Sequence, residues 1–214
     1  VNLFHLYSHN VLFNPSDILN VPFRSNKIIY YIMIRSIITN NCYGTQYYTD
    51  ENYEYKTPFI GLFLFAPCYI NFLENYNKYI NEKLLQINKS KYGNFNYPIG
   101  LIGTSEIHFL HEKDFAEAKS KWDRRKKRLD EFTKCIIKMC DRDLFDETIL
   151  QRFLNLNHPH KILFISKKWN DSRYKITDNI KIVKTEYQNE CSNGYQLYRK
   201  YSLLQYLKDS NEKK

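Results

Sequence analysis

The chain has 214 residues, of which 43% are hydrophobic and 16% aromatic, and its formal net charge is +9. A chain of this length fits one domain, or one domain with a small appendage, and its composition allows it to bury a substantial core. The positive charge favours ligands that contain phosphate, but no nucleic-acid-binding module or uninterrupted basic stripe is present, so nucleic acid is not an expected partner.

The cysteines and the apolar runs indicate the cellular compartment. Five cysteines, an odd number with no Cys-x-x-Cys pair, are typical of reduced thiols in the cytoplasm. The longest strongly apolar run, residues 58–70, is interrupted by Pro67 and is too short to span a bilayer. The first residues lack the basic region and the cleavage site of a secretion signal. We therefore expect a cytoplasmic protein without a transmembrane segment.

The first part of the chain predicts a lead-in, two strands and a helix. Residues 1–26 are mixed and interrupted by prolines, which predicts a loosely structured lead-in. Residues 27–41 are continuously apolar and β-branched, as in a buried strand, with a helix as the alternative for the first half of the segment. Residues 58–65 predict a second buried strand. Apolar residues then recur at helical spacing over residues 66–85, with Pro67 in the first turn.

The middle of the chain predicts a strand region followed by a capped helix. Residues 97–111 predict one or two strands interrupted by glycines. Asp114, followed three residues later by Glu117, resembles a capping box and predicts the start of a helix. The helical pattern continues to about Leu129.

The last part of the chain alternates strands with helices. Residues 132–140 and 160–167 predict strands, separated by a turn and a short helix. A weaker strand is predicted near residues 180–184 and an amphipathic helix near residues 195–208. This alternation predicts an α/β fold with a mostly parallel sheet and flanking helices.

The predicted domain organisation is a single α/β domain. Residues 1–26 form its N-terminal lead-in and residues 27–170 its α/β core. Residues 171–214 add a strand and a helix as a C-terminal appendage of the same domain.

Two histidines mark the end of the predicted strand region. Glu106 and His108 lie on one face of a strand, so we expect Glu106 to raise the pKa of His108 and to suit it to general base catalysis. His111 follows at the strand-to-helix turn, where α/β folds expose functional groups. The alternative is that both histidines are structural. A zinc site is less well supported, because the spacing lacks the helical pattern and a third ligand.

The helix that follows has an apolar stripe with an arginine at its edge. Phe115, Ala118, Trp122 and Leu129 share one helical face, which predicts that they pack in the core. Arg125 lies at the edge of that stripe, where a guanidinium must extend to solvent, pair with a carboxylate or face a cleft. Both a structural salt bridge and an anion-binding arginine remain open.

Two further groups suggest chemistry at strand ends. Asp141 and Asp143 follow a buried strand and could hold Mn²⁺ or Mg²⁺ against a diphosphate, as the Asp-x-Asp pair does in many glycosyltransferases; loop acids that cap the next helix are the alternative. Cys42 ends the first strand and is a candidate nucleophile with His108 or His111 as its base. The alternative is a small buried hydrophobe.

Five blocks of the sequence, in the same order, resemble a bacterial family known as domain of unknown function 1919. The blocks are TNNCYG at 39–44, YKTPFIGLFLFAPCYINFLEN at 55–75, YPIGLIGTSEIHFLHE at 97–112, AEAKSKWDRRKKR at 116–128, and Asp-Arg-Asp at 141–143. Members of this family are associated with capsule and exopolysaccharide biosynthesis. The resemblance therefore implies a role in assembling or modifying surface polysaccharide, and it implies no mechanism.

The resemblance also implies a set of site residues. The polar motif positions of the family fall on Asn40, Asn41, Cys42, Pro58, His108, His111, Trp122, Arg124, Arg125, Asp141 and Asp143. Asn40, Asn41, Trp122, Arg124 and Arg125 are accordingly expected to bind the substrate.

Together these features predict a glycosyltransferase-like enzyme that acts on a precursor of surface polysaccharide. In this hypothesis His108, supported by Glu106, deprotonates the acceptor, and Arg124 or Arg125 neutralises the diphosphate of a nucleotide-sugar. One alternative is a sugar acyltransferase that uses Cys42. Another is a non-catalytic module of a polysaccharide-assembly complex.

Overall fold

The structure, a computed structural model, describes residues 36–169 and 179–212, and the side chains of the last helix as far as residue 210. The predicted lead-in at 1–26 and most of the predicted strand at 27–41 lie outside the described residues. In chain order the elements are β1 (Ile37–Thr39), α1 (Tyr43–Asp50), α2 (Ala66–Glu74), α3 (Tyr76–Tyr79), β2 (Leu85–Ile87), β3 (Ile99–Ile102), β4 (Ser105–His108), α4 (Phe115–Lys126), β5 (Ile136–Cys140), α5 (Glu147–Asn155), β6 (Lys161–Ile165), β7 (Ile180–Lys184), α6 (Gly194–Lys200) and α7 (Leu203–Glu212).

A four-stranded parallel sheet organises the described residues. Its strand order is β1-β5-β6-β7, and every pair of neighbours is parallel. All residues of β1, β5 and β6 are buried, as expected for strands that are covered on both faces. The predicted α/β fold with a mostly parallel sheet is therefore confirmed.

A second, three-stranded sheet is antiparallel and contains β2, β3 and β4 in that order. The chain reverses between β3 and β4 at Gly103, whose φ of +55° is readily adopted by glycine. The two strands predicted around the glycines at 97–111 are therefore present. The parallel sheet is thus accompanied by a separate antiparallel one.

The prediction of a strand at 58–65 is wrong, because this segment is irregular in the structure. Only Phe63 pairs with a strand, through two backbone hydrogen bonds of 2.9 Å to His108. Gly61, two residues earlier, has a φ of +71° and turns the chain out of the extended conformation. The segment is apolar because it is buried, and burial alone does not distinguish a strand from an irregular segment.

Several predicted helices have different lengths in the structure. The helix predicted at 66–85 begins as expected, with Pro67 in its first turn, but α2 ends at Glu74 and only the short α3 follows. The helix predicted at 195–208 is divided into α6 and α7 by Tyr201, whose backbone is extended. In both cases the apolar spacing continues across a turn, so the sequence pattern does not show the interruption.

The capped helix was predicted correctly at its start. The Asp114 side chain accepts a hydrogen bond of 2.9 Å from the backbone N–H of Glu117. Ala118 and Trp122 are buried, as their helical face predicted. None of the helices in residues 36–169 and 179–212 is long and apolar enough to cross a membrane.

Candidate active site

A cleft of about 530 Å³ lies at the carboxyl ends of β1 and β5, the end of a parallel sheet where α/β folds bind ligands. Cys42 follows β1, and Arg142 and Asp143 follow β5. His111 comes from the turn after β4, and Tyr195 from the start of α6. We call this space the Cys42 cleft.

Cys42 and His111 meet in this cleft. The Cys42 Sγ atom lies 3.7 Å from the His111 Nε2 atom. Cys42 is positioned by the end of β1 and the start of α1, while His111 packs beside Gly61. The structure therefore brings together the predicted nucleophile and one of its two predicted bases.

Three features of the surroundings act on the Cys42 thiol. Burial raises the pKa of Cys42 above its ordinary value, and the positive charge of Lys138 partly opposes this effect. Cys42 also precedes the first turn of α1, where the helix dipole favours a negative charge. The thiol is thus protonated at neutral pH, and its activation requires a base, which His111 is placed to supply.

Lys138, a residue that the sequence reasoning did not single out, lies buried beside the cleft. Its Nζ atom donates hydrogen bonds to Asn41 Oδ1 at 3.0 Å and to Asn40 Oδ1 at 3.3 Å. It also lies over the rings of Tyr43 and Phe164, at 5.3 and 5.5 Å from their centroids. Burial lowers its pKa. The sequence could have indicated this role, because Lys138 stands in the middle of an apolar strand and a buried lysine requires polar partners inside the protein.

Asn40 and Asn41 have scaffolding contacts. Their side-chain amides donate to Cys140 Sγ at 3.5 and 3.2 Å, and Asn41 Oδ1 also accepts from the backbone N–H of Tyr43. Asn40 is wholly buried, whereas Asn41 reaches the wall of the cleft. Substrate binding by this pair stays a prediction, and for Asn41 alone the location agrees with it.

Gly194 is a second residue that the sequence reasoning missed. A Cβ atom at this position would lie 2.3 Å from the backbone nitrogen of Tyr43 and 2.6 Å from Asn41 Oδ1. Helix α6 therefore approaches the Cys42 segment so closely that only glycine fits. This packing closes one wall of the cleft.

Glu106 acts to raise the pKa of His108, as expected, but the net shift of this pKa has the opposite direction. The ring is wholly buried among Phe63, Phe65 and Phe95, with centroid distances of 4.7, 5.1 and 5.0 Å. Burial lowers the pKa of His108 to about 4, because desolvation outweighs the nearby Glu106 carboxylate, whose Oε2 lies 3.5 Å from Nε2. His108 is not among the residues that line the cleft.

Glu106 is occupied by its own hydrogen bonds. It accepts from Ser90 Oγ at 2.5 Å and from the backbone N–H of Lys91 at 3.0 Å. The carboxylate thus holds the loop before β3, and it also lies outside the cleft lining.

The expected substrate-binding residues of α4 lie elsewhere. Trp122 is buried in the core against Phe59, and Arg124 is exposed. Arg125 donates to the carbonyl of Ile60 at 3.3 Å and stacks over Tyr55 at 5.0 Å. In place of the expected salt bridge, the described contacts of Arg125 are with this carbonyl and this aromatic ring, and Arg125 does not line the cleft. It holds the irregular segment before α2.

The predicted metal pair is divided between two environments. Asp141 Oδ2 accepts from the backbone N–H and the hydroxyl of Ser166, and Oδ1 accepts from the backbone N–H of Cys191. Asp143 lines the cleft; burial raises its pKa and Arg142 lowers it. The described ranges contain no group of three or more metal-binding side chains. These residues fit the expected cation poorly, and metal binding stays a prediction.

Comparison of the sequence with known protein families identifies the family of this chain. The sequence profile described as "Domain of unknown function (DUF1919)" matches residues 19–208. The chain belongs to this family. The resemblance found in the five blocks is thus confirmed, and the DUF1919 match includes Cys42, Lys138, His111 and Gly194.

One relative comes from Haemophilus influenzae and is described as an uncharacterized protein. It is 30% identical to this chain over 134 residues, which is 63% of each of the two proteins. The match thus spans less than two thirds of the relative's length.

Proposed function

We propose that this DUF1919 chain is a transferase that moves an acyl group through Cys42 onto a hydroxyl group of a surface-polysaccharide precursor in the cytoplasm. The observation that supports it is the 3.7 Å distance between Cys42 Sγ and His111 Nε2 inside a cleft at the strand ends. A thiol and an imidazole in contact are one nucleophile–base pair that supports covalent acyl transfer. The link to polysaccharide rests on the family resemblance.

The proposed reaction has two halves that use the same pair. His111 Nε2 accepts the thiol proton, and the Cys42 sulfur attacks the acyl carbonyl of a thioester or ester donor. The bond to the donor's leaving group breaks, and the leaving group takes the proton from His111. In the second half His111 deprotonates the acceptor hydroxyl, whose oxygen attacks the Cys42 thioester. The acyl group moves to the sugar, and the sulfur regains its proton.

Two features of the surroundings partly offset the rise that burial causes in the pKa of Cys42. The buried Lys138 lowers the pKa of Cys42, and the N-terminal turn of α1 adds a favourable dipole. The close approach of α6 at Gly194 forms one wall of the cleft.

The glycosyltransferase hypothesis has less support from the geometry. Its base, His108, is buried outside the cleft, and both carboxylate oxygens of Asp141 already accept hydrogen bonds from Ser166 and Cys191. One observation favours it, because Arg142 and Asp143 line the Cys42 cleft. A nucleotide-sugar that stabilises the protein, with or without Mn²⁺, would therefore speak for glycosyl transfer.

The test is covalent labelling of the purified protein. We would incubate it with 4-nitrophenyl acetate and 4-nitrophenyl hexanoate, and locate the acyl group by intact mass and peptide mapping. We expect one acyl group on Cys42, none in Cys42→Ala, and labelling about 10²–10⁴-fold slower in His111→Ala. The other four cysteines are buried and serve as internal controls. A folded protein that acylates at another residue, or at an equal rate without His111, would contradict the proposal.

A further inference from the structure

Two exposed hydrophobic side chains line the Cys42 cleft, and two more are connected to residues of its wall. Among residues 36–169 and 179–210, five large hydrophobic side chains are exposed: Leu85, Phe95, Leu110, Leu144 and Tyr195. Leu110 and Tyr195 line the cleft. Phe95 stacks on Tyr97, another residue of the cleft wall, and Leu144 directly follows Asp143. Leu85, on β2, is the one of these five that neither lines the cleft nor lies beside a residue of its wall.

Single exposed hydrophobic residues are ordinary, but a group of them around one cleft indicates a surface that an apolar ligand covers. Leu110 directly precedes His111, so the apolar surface begins beside the reactive pair. Phe63 and Tyr97 continue this surface within the cleft wall.

The backbone at Leu144 provides a second, independent observation. Asp143 and Leu144 have φ angles of +59° and +70°, in the left-handed region that residues with a side chain rarely adopt. The turn is held in place because the Asp143 carbonyl accepts a hydrogen bond of 2.8 Å from the backbone N–H of Ala66. A strained conformation thus maintains a leucine that is 58% exposed and directly follows Asp143, a residue of the cleft wall. Strain of this kind is concentrated at ligand sites.

We propose that the Cys42 cleft binds an acyl chain of several methylenes, so that the donor carries a medium-length acyl group. This inference rests on the proposed function, because the acyl carbon must reach Cys42 Sγ. A chain attached to that carbon starts next to His111, and Leu110 is the first apolar side chain along the segment. The hydrocarbon of the chain is therefore placed against the exposed apolar residues.

The first part of the test measures binding without chemistry. Calorimetry on the Cys42→Ala protein would compare butyrate, hexanoate, octanoate and decanoate. We expect affinity to rise with length by up to about fourfold for each added methylene, the ratio that corresponds to burying one CH₂ group. Leu110→Ser should reduce this dependence. Leu85→Ser, an exposed leucine outside the cleft, should not. Tyr195→Ser replaces Leu110→Ser if the latter does not fold.

The second part measures acylation of Cys42 in the wild type by 4-nitrophenyl esters from acetate to octanoate. We expect the second-order rate constant to rise with chain length, and to rise less in Leu110→Ser. Acylation with no length preference, together with no binding of decanoate, would overturn this inference and leave the proposed function intact. Chain binding without acylation would instead contradict the proposed function and the acyl donor, and would leave only the binding of an apolar chain in the cleft. Tighter binding of farnesyl phosphate than of decanoate would identify a lipid-linked saccharide as the occupant and overturn the acyl-chain assignment.

Discussion

The Nζ atom of Lys138 lies 3.0 Å from Oδ1 of Asn41, the residue that precedes Cys42. A wholly buried ammonium on a central strand thus holds the segment that presents the sulfur. The same Asn41 oxygen accepts from the backbone N–H of Tyr43, so both neighbours of Cys42 are fixed through one amide group. The position of the Cys42 sulfur and the pKa of its thiol therefore depend on Lys138, although Lys138 does not line the cleft.

Replacing Lys138 by Met should raise the pKa of Cys42 further, because its positive charge lowers that pKa. The thiolate fraction at neutral pH then falls, and alkylation of Cys42 by iodoacetamide should reach its half-maximal rate at a higher pH than in the wild type. The measurement is the alkylation rate against pH, with peptide mapping to confirm the site.

Lys161→Met is a matched control for this experiment. Lys161 is equally buried, but it donates to the carbonyls of Leu154 and Leu156 at the end of α5. Its loss should reduce the free energy of unfolding and leave the Cys42 profile unchanged. Identical profiles for Lys138→Met and the wild type would rule out the role of Lys138.

His108 should make the stability of the protein depend on pH. Its pKa in the folded protein is about 4, below the ordinary value of 6.5. Between these two values the unfolded chain binds more protons, so His108 opposes folding increasingly as the pH falls from about 6.5 to about 4. The full effect is about 3 kcal/mol.

The measurement is urea unfolding at several pH values in this window for the wild type and His108→Phe. We expect the variant to lose less stability at low pH and to acylate at Cys42 within a few-fold of the wild-type rate. An equal loss of stability in both proteins would show that His108 is not buried in its neutral form. Loss of acylation in a folded His108→Phe protein would restore His108 as a catalytic candidate.

Asp141→Asn should destabilise the fold by about 1–3 kcal/mol. One carboxylate oxygen accepts hydrogen bonds from Ser166 and the other accepts one from Cys191. In asparagine one of these oxygens is replaced by an NH₂ group, which cannot accept, so the hydrogen bonds to that atom are lost. Asp143→Asn, on the cleft wall, should have a much smaller effect. Thermal unfolding with and without Mn²⁺ checks both variants. A wild type stabilised by Mn²⁺, with this stabilisation lost in each variant, would instead support the predicted metal pair.

Leu144→Gly should increase the free energy of unfolding by about 0.5–1 kcal/mol. Glycine adopts a φ of +70° without the steric strain that leucine has there. We expect the free energy gained in this way to exceed the cost of the greater conformational entropy that glycine gives the unfolded chain. Leu85→Gly has the same chemistry and the same 58% exposure but lies in β2, so it should lower stability. Chemical denaturation of both variants checks the opposite signs. A destabilised Leu144→Gly would show that the leucine side chain contributes to packing.

Local sequence patterns predicted several elements correctly because their causes are local. Asp114 caps its helix through a residue three positions away, and the strand predicted near 180–184 is β7 itself. The position of Cys42 at a strand end was also predictable, since a buried strand followed by polar residues ends at the edge of the sheet.

Other features depend on contacts between distant segments. Glu106 and His108 do share a strand face, but all four residues of β4 are buried, so the alternation in sequence does not show which histidine is accessible. The outcome is that His108 is enclosed by aromatic rings and His111 reaches the cleft. Lys138 and Gly194 acquire their roles only through close contact with the Cys42 segment.

The sequence by itself determined the α/β class, the starts of α2 and α4 and the residue types available for chemistry, because propensity, capping and apolar spacing act over a few residues. Only the tertiary structure decided that Cys42 meets His111, 69 residues later in the chain, and that Asp141 and Asp143 separate. Pairings of this kind depend on how the strands and helices pack, and burial then sets the pKa of each group. Neither the packing nor the burial is contained in the spacing of residues along the chain.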